Sequence, residues 1–193
     1  MIVAFSCSSP VCSVAVLAVD GAILFSELEV TRHNAGGACL RMLEIGLKRL
    51  GMRLEETSLF AADLGPGSFI GVRVGVTLAK TLAFATSKLC IGASSFDLIT
   101  ADRTVVMPSK KAEFFVRIPN AEVFRTDKLP EPADFVGYGS GIEEPVYPNA
   151  ARFASLLQRL PPMAPELLIP QYMIEPSIST PRKPYIPRAT LDG

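Results

Sequence analysis

The residue types that perform chemistry are sparse in this chain. His33 is the one histidine, so a metal site built on a histidine pair is out of reach. A serine–histidine nucleophile would have to use that same ring, beside Arg32 and just ahead of a helix, where a solvated helix-entry residue serves equally well. The four cysteines, Cys7, Cys12, Cys39 and Cys90, lie in apolar segments. No pair has the two-residue gap of a zinc knuckle or redox motif, so they read as buried free thiols suited to a reducing compartment. Glu55-Glu56 and Glu143-Glu144 are sequence neighbours whose side chains point apart, which suits loop solubilisers better than an acid–base pair. Lys110-Lys111 and Arg182-Lys183 lack interleaved aromatics and read as solvated charges or as rim contacts to RNA phosphate.

One stretch has the pattern of a ligand loop. Ala61 to Lys80 reads AADLGPGSFIGVRVGVTLAK, a buried strand running through Gly65-Pro66-Gly67 into a helix. Its first helical turn offers unpaired N–H groups and the positive end of a dipole, which is a potential anion site. A strand-to-helix corner capped by Ser68 explains the same residues. Along that helix Gly71, Gly75, Ala79 and Ala83 recur every four residues, flanked by Val72, Val76 and Leu82. Such a ridge admits another helix closer than the usual separation of roughly 8–10 Å. The visiting helix could be this chain's own or one from a second chain.

Positioning these residues falls to a regular first half. Ile2 to Ser6, Cys12 to Val19 and Ala22 to Val30 read as a three-stranded meander, its second turn at Asp20-Gly21. Leu40, Leu43, Leu47 and Leu50 make one apolar stripe over a helix from Ala38 to Leu50, ended by Gly51. Leu59 to Asp63 and Leu89 to Gly92 read as strands, Ile70 to Thr86 as a second long helix, and Ser94-Ser95 as the cap of a helix running to Ala101. Strand, strand, strand, helix, strand, helix, strand is the order of an α/β fold of the ribonuclease-H-like or actin-like ATPase (ASKHA) kind, a mixed sheet with flanking helices. Of 16 prolines only Pro10 and Pro66 precede residue 100, so the second half reads as reduced. Short strands fit Thr104 to Met107, Ala112 to Arg117 and Phe135 to Tyr138, and a helix fits Asn149 to Leu160 before Pro161-Pro162. The expected organisation is an N-terminal subdomain at 1–101, a reduced C-terminal subdomain at 102–175 and an extended Pro-rich tail at 176–193.

Bulk properties exclude several classes. The chain has 193 residues, 49% hydrophobic and 20% charged, with Lys+Arg and Asp+Glu at 19 each. That excludes disorder and any whole-molecule field for gripping a polyphosphate. The apolar N-terminus lacks a basic leader region, and no run is long enough to span a bilayer, so a cytoplasmic protein is expected.

GPGSFIGVRVGVTLAKTLAFAT resembles the signature of the TsaB (YeaZ) family. IVAFSCSSPVCSVAV resembles that family's opening strand, turn and strand, Arg32-His33 and the leucine helix its first helix, and CIGASSFDLI its next strand. The similarity covers about residues 1–100; beyond it, Gly137 to Gly141 and Pro170-Gln171-Tyr172 are loose echoes. The resemblance implies a non-catalytic subunit that binds and activates TsaD, the threonylcarbamoyl transferase of tRNA threonylcarbamoyladenosine modification. It implies TsaE as a partner through that complex, tRNA as an indirect one, and a homodimer as an alternative to TsaD. The two long helices would form the bundle, with Leu40, Leu43, Leu47, Val72, Gly75, Val76, Ala79, Leu82 and Ala83 at the partner interface.

Two departures weaken any nucleotide site. Ser6 stands where the superfamily carries an acid that organises magnesium, and a neutral hydroxyl cannot offset a divalent charge. Ile70 stands where the family usually has threonine. Ser6, Ser8, Gly65, Gly67 and Ser68 are therefore expected to form a degenerate phosphate loop, with no catalytic residue, no metal and no cofactor, nucleotide being conceivable only at a subunit boundary. The competing expectation is a weak ATP-binding kinase-like or peptidase-like enzyme of the same superfamily.

Overall fold

The structure, a computed structural model, describes residues 1–31, 33–110, 112–131 and 134–173. Arg32, Lys111, the Arg182-Lys183 pair and the expected Pro-rich tail lie outside the described residues.

Strands β1 (Ile2–Ser6), β2 (Val11–Leu17) and β3 (Ile23–Val30) form the antiparallel meander, with Ile2 opposite Leu17 and Phe5 opposite Val14. β4 (Leu59–Asp63) runs parallel to β1, and β5 (Leu89–Ala93) parallel to β4. Helices α1 (Ala35–Leu50) and α2 (Phe69–Ala85) make the connections, giving a five-stranded sheet ordered β3-β2-β1-β4-β5. Asn34 Oδ1 accepts from Gly37 N–H at 3.1 Å to start α1. Gly51, at φ 64°, ends it in the left-handed conformation expected there.

β1 is buried along its whole length because both faces of the sheet are covered. Val3, Phe5, Val14, Val16, Phe60 and Ala62 point to the helices, meeting Met42, Leu43, Val72 and Val76. Ile2, Ala4, Ala15, Leu17, Ala61 and Ile91 point the other way, onto Phe153 and Leu156. The period-two alternation of side chains thus fills two cores from one set of strands.

The second sheet has four short strands, β6 (Thr104–Pro108), β7 (Phe114–Arg117), β8 (Phe124–Thr126) and β9 (Phe135–Gly137), ordered β8-β7-β6-β9. Arg117 ties it to the first: its guanidinium donates to the carbonyls of Thr100 and Phe96 and pairs with Asp97 at 3.3 Å. β8 is a strand the sequence pattern did not announce.

Two expected helices are something else. Residues after Ser94 form turns because Ser95 is pulled aside, its N–H bonding Gly65 O at 2.8 Å and its hydroxyl a buried acid. The segment expected as a helix over Asn149 to Leu160 forms 3-10 turns at Ala150–Ser155 and Leu157–Arg159, its Ala150 N–H held by Ser13 Oγ at 2.9 Å. Phe153 and Leu156 complete the second face of the first sheet, and Leu168 enters its helix-side core. The chain from 150 to 168 therefore belongs with the N-terminal sheet and not with β6–β9, unlike the expected division at 102–175. No helix among the described residues is long and apolar enough to cross a membrane.

Candidate functional site

At the carboxyl ends of β1 and β4, where a parallel sheet of this order opens its ligand crevice, the centre of the arrangement is Asp63. Its side chain is buried. Oδ2 accepts from Ser6 Oγ and Ser8 Oγ, each at 2.6 Å, and Oδ1 accepts from Ser95 Oγ at 2.5 Å and Gly65 N–H at 2.9 Å. Burial pushes the carboxyl above its ordinary range, while the hydrogen bonds from Ser6, Ser8, Ser95 and Gly65 pull the other way. Sequence reasoning passed over this residue as the end of a strand. Its partners come from the β1–β2 turn and from the loop after β5, and only the parallel pairing of β4 with its two neighbours brings them together.

The expected phosphate-loop residues do converge, but on each other. Ser6 and Ser8 spend their hydroxyls on Asp63. Ser68 N–H donates to Ser8 O at 2.7 Å, and Ser68 Oγ caps α2 by accepting from Gly71 N–H at 3.2 Å. A Cβ on Gly67, which sits at φ 157°, would lie 2.2 Å from Ser8 O. The β1–β2 turn thus fills the corner between β4 and α2. Outside it, a cleft of about 850 Å³ separates the two sheets, lined by Ser9, His33, Ser109, Tyr138, Gly139 and Tyr147 among others. None of the described residues lining that cleft is an aspartate or glutamate, so it presents no carboxylate to a hard cation.

The small-residue ridge is where the structure departs most from expectation. Gly71, Val72, Gly75, Val76, Ala79 and Ala83 are all buried inside this chain. A Cβ on Gly71 would lie 1.9 Å from Cys7 O, and one on Gly75 3.9 Å from Cys7 Sγ. The close approach that the ridge permits is to the chain's own β1 end, leaving no room for a foreign backbone. Leu43 is likewise in the core, and Leu47 and Leu82 pack against it. Of the residues expected at the interface, Leu40 alone is exposed. The apolar surface that remains lies one helical step away. Ile70 is 74% exposed, and a groove of about 360 Å³ between the helices is lined by Gly36, Ile70, Arg73, Val74, Thr77 and Leu78.

A third cluster went unremarked. Cys7, Cys12 and Cys39 are buried, as expected, but their Sγ atoms all lie within 4.8 Å of one another, with Cys7 and Cys39 at 3.2 Å. The sequence signal was the four-residue gap between Cys7 and Cys12 across a hairpin turn, within the range of metal-binding pairs. Hydrogen bonds from Cys39 and Cys7 pull the Cys12 thiol down to about 4, and bonding to Cys12 holds Cys39 up at about 12 and Cys7 higher still. The trio gives up one proton readily and resists giving up the next.

Comparison with known proteins now fits this geometry. The profile of the family described as "TsaD: tRNA N6-adenosine threonylcarbamoyltransferase" matches residues 29–111. The chain is 36% identical over 83 residues to the tRNA threonylcarbamoyladenosine biosynthesis protein TsaB of Haemophilus influenzae. The matched stretch covers 43% of this chain and 34% of that relative, about a third of its length. In structure the chain is similar to YeaZ from Pseudomonas aeruginosa, with TM-score 0.74 and 22% identity over 89% of this chain and 99% of that one. The chain is thus similar to TsaB (YeaZ) proteins over part of its sequence and in its fold. A second solved structure, of a protein titled as having similarity to peptidase YEAZ from Pseudomonas aeruginosa, gives TM-score 0.75 at 20% identity, covering 90% and 99% of the two chains. At these identities the solved structures establish the TsaB-type fold. Within that fold, Ser6 stands at the strand end where the resemblance led one to expect an acid. The acid present here, Asp63, is one strand over and enclosed.

Proposed function

We propose that this chain is a non-catalytic subunit in tRNA threonylcarbamoyladenosine formation, docking on and activating the TsaD transferase. TsaE and tRNA are then met through that complex, and self-association uses the same face. The observation that carries this reading is the uncovered apolar groove between α1 and α2, with Ile70, Val74 and Leu78 along it, together with the exposed Leu40 on α1. Ile70 is among the most exposed large apolar residues described, and an apolar groove between two rigid helices accepts a helix or helix pair from a second subunit. The enclosed Asp63 and the acid-free cleft support a binding role over a phosphoryl-transfer role.

The test is co-purification. Ile70→Glu combined with Val74→Glu places two charges in the groove and should weaken association with TsaD at least about 100-fold, while the isolated chain keeps its circular dichroism and melting temperature. A double variant that still co-elutes with TsaD at wild-type yield defeats the docking reading. Calorimetry of the isolated chain with magnesium-ATP is expected to show no micromolar binding; such binding would favour an enzyme instead.

A further inference from the structure

We propose that Cys7, Cys12 and Cys39 form a tri-thiolate site for a thiophilic divalent cation of the zinc class. The three side chains come from three elements: Cys7 from the end of β1, Cys12 from β2 and Cys39 from the second turn of α1. A zinc–thiolate bond of about 2.3 Å in a tetrahedron sets sulfur atoms about 3.8 Å apart. Three sulfurs mutually within 4.8 Å meet that requirement with changes in separation of no more than about 1 Å. The Cys7–Cys39 separation of 3.2 Å would have to close by more than an ångström to make a disulfide of about 2.05 Å. A disulfide would also leave Cys12 unused, whereas the cation uses all three.

The surroundings suit an ion with one open position. Cys7 and Cys12 line a cavity of about 420 Å³, which His33 also lines. Water completes the tetrahedron from that side. The first turns of both long helices, at Ala35 and Gly36 and at Ile70 and Gly71, line the same cavity. Their positive dipole ends offset the net charge of about −1 left when three thiolates hold a divalent ion. On binding, each thiol releases its proton to solvent as its sulfur–metal bond forms. Thiolate donors select a soft or borderline ion over magnesium or calcium.

The experiment uses the full chain, reduced and stripped with a chelator, and cadmium as the probe. Cadmium should produce a thiolate-to-metal charge-transfer absorption that saturates at one equivalent per chain and is displaced by zinc. Zinc at about 100 times its Kd should raise the melting temperature of the wild-type chain by about 5–10 °C. Cys39→Ser and Cys12→Ser should each weaken cadmium binding at least about 100-fold. Cys90→Ser, which removes a buried thiol outside the trio, should leave it unchanged. Absence of the absorption at one equivalent, or an unshifted melting temperature in the wild-type chain, overturns the proposal without recourse to any variant. Wild-type cadmium affinity in Cys39→Ser overturns it as well.

Discussion

The two sides of α2 divide the small and the large residues unevenly. Its inner side sets Gly71, Gly75, Ala79 and Ala83 beside Val72 and Val76, all of them buried. Its outer side carries Ile70 and Phe84, each 74% exposed, together with Val74 and Leu78. A helix serving only its own monomer would turn its bulk inward, where roughly 25 cal/mol per Å² of buried apolar surface is gained. At Gly71 the interior takes a glycine because Cys7 O, just past the end of β1, comes so close that a side chain cannot fit. Ile70 and Phe84 face outward, where they contribute little to the isolated chain. The small ridge is a device for packing this monomer, and the large residues are the ones left for a partner.

The strongest way to break that comparison is at the inner side. Gly71→Ala puts a Cβ where Cys7 O already stands at 1.9 Å, and a backbone carbonyl cannot rotate away. The variant is expected to lose about 3 kcal/mol or more of stability in urea denaturation. A loss below about 1 kcal/mol would mean that the ridge is not closed by the chain itself, and would return it to the partner.

How much of this could be read beforehand depended on the range of the signal. Local patterns were legible: the alternation in β1 and β2, the leucine spacing of α1, Gly51 as its terminator and Ser68 as the cap of α2 all describe elements found in place. Residues that act through distant partners were not. Asp63 is joined to Ser6, Ser8 and Ser95 across 57, 55 and 32 positions, so its role appears only when the parallel strands pair. The cysteine trio needed α1 laid over the β1–β2 turn. The four-residue period of α2 was visible, but which neighbour fills it is a tertiary fact. Asn149 to Leu160 had a helical pattern that yielded to the needs of the sheet's second face.

Asp63 offers a sharper test of how enclosed the corner is. Asp63→Asn exchanges an accepting oxygen for a donating amide amid four donors, a cost of about 1–3 kcal/mol. The folded carboxyl is held above its ordinary 3.8 by burial, so between those two values the folded chain keeps a proton that the unfolded chain has lost. Stability from this group is therefore present at low pH and declines as pH rises through the raised value. The lead of wild type over Asp63→Asn in urea denaturation should shrink as pH is raised from about 4 toward neutrality. A lead that widens instead would show that the serine hydroxyls outweigh desolvation and that the corner is built to hold an anion.

The smallest expected effect lies on the outer side of α2. Phe84 is 74% exposed, so Phe84→Ser should alter the stability of the isolated chain by no more than about 0.5 kcal/mol. A fully buried phenylalanine would cost several times that. The near-zero result is informative because Gly71→Ala, on the opposite side of the same helix, removes no contact and yet should cost far more. If Phe84→Ser proved as damaging as a core substitution, the outer side would already be covered within this chain. That side of α2 would then lose its claim to a partner. A silent Phe84→Ser together with a damaging Gly71→Ala would assign the helix's inner side to folding and leave its outer side free for docking.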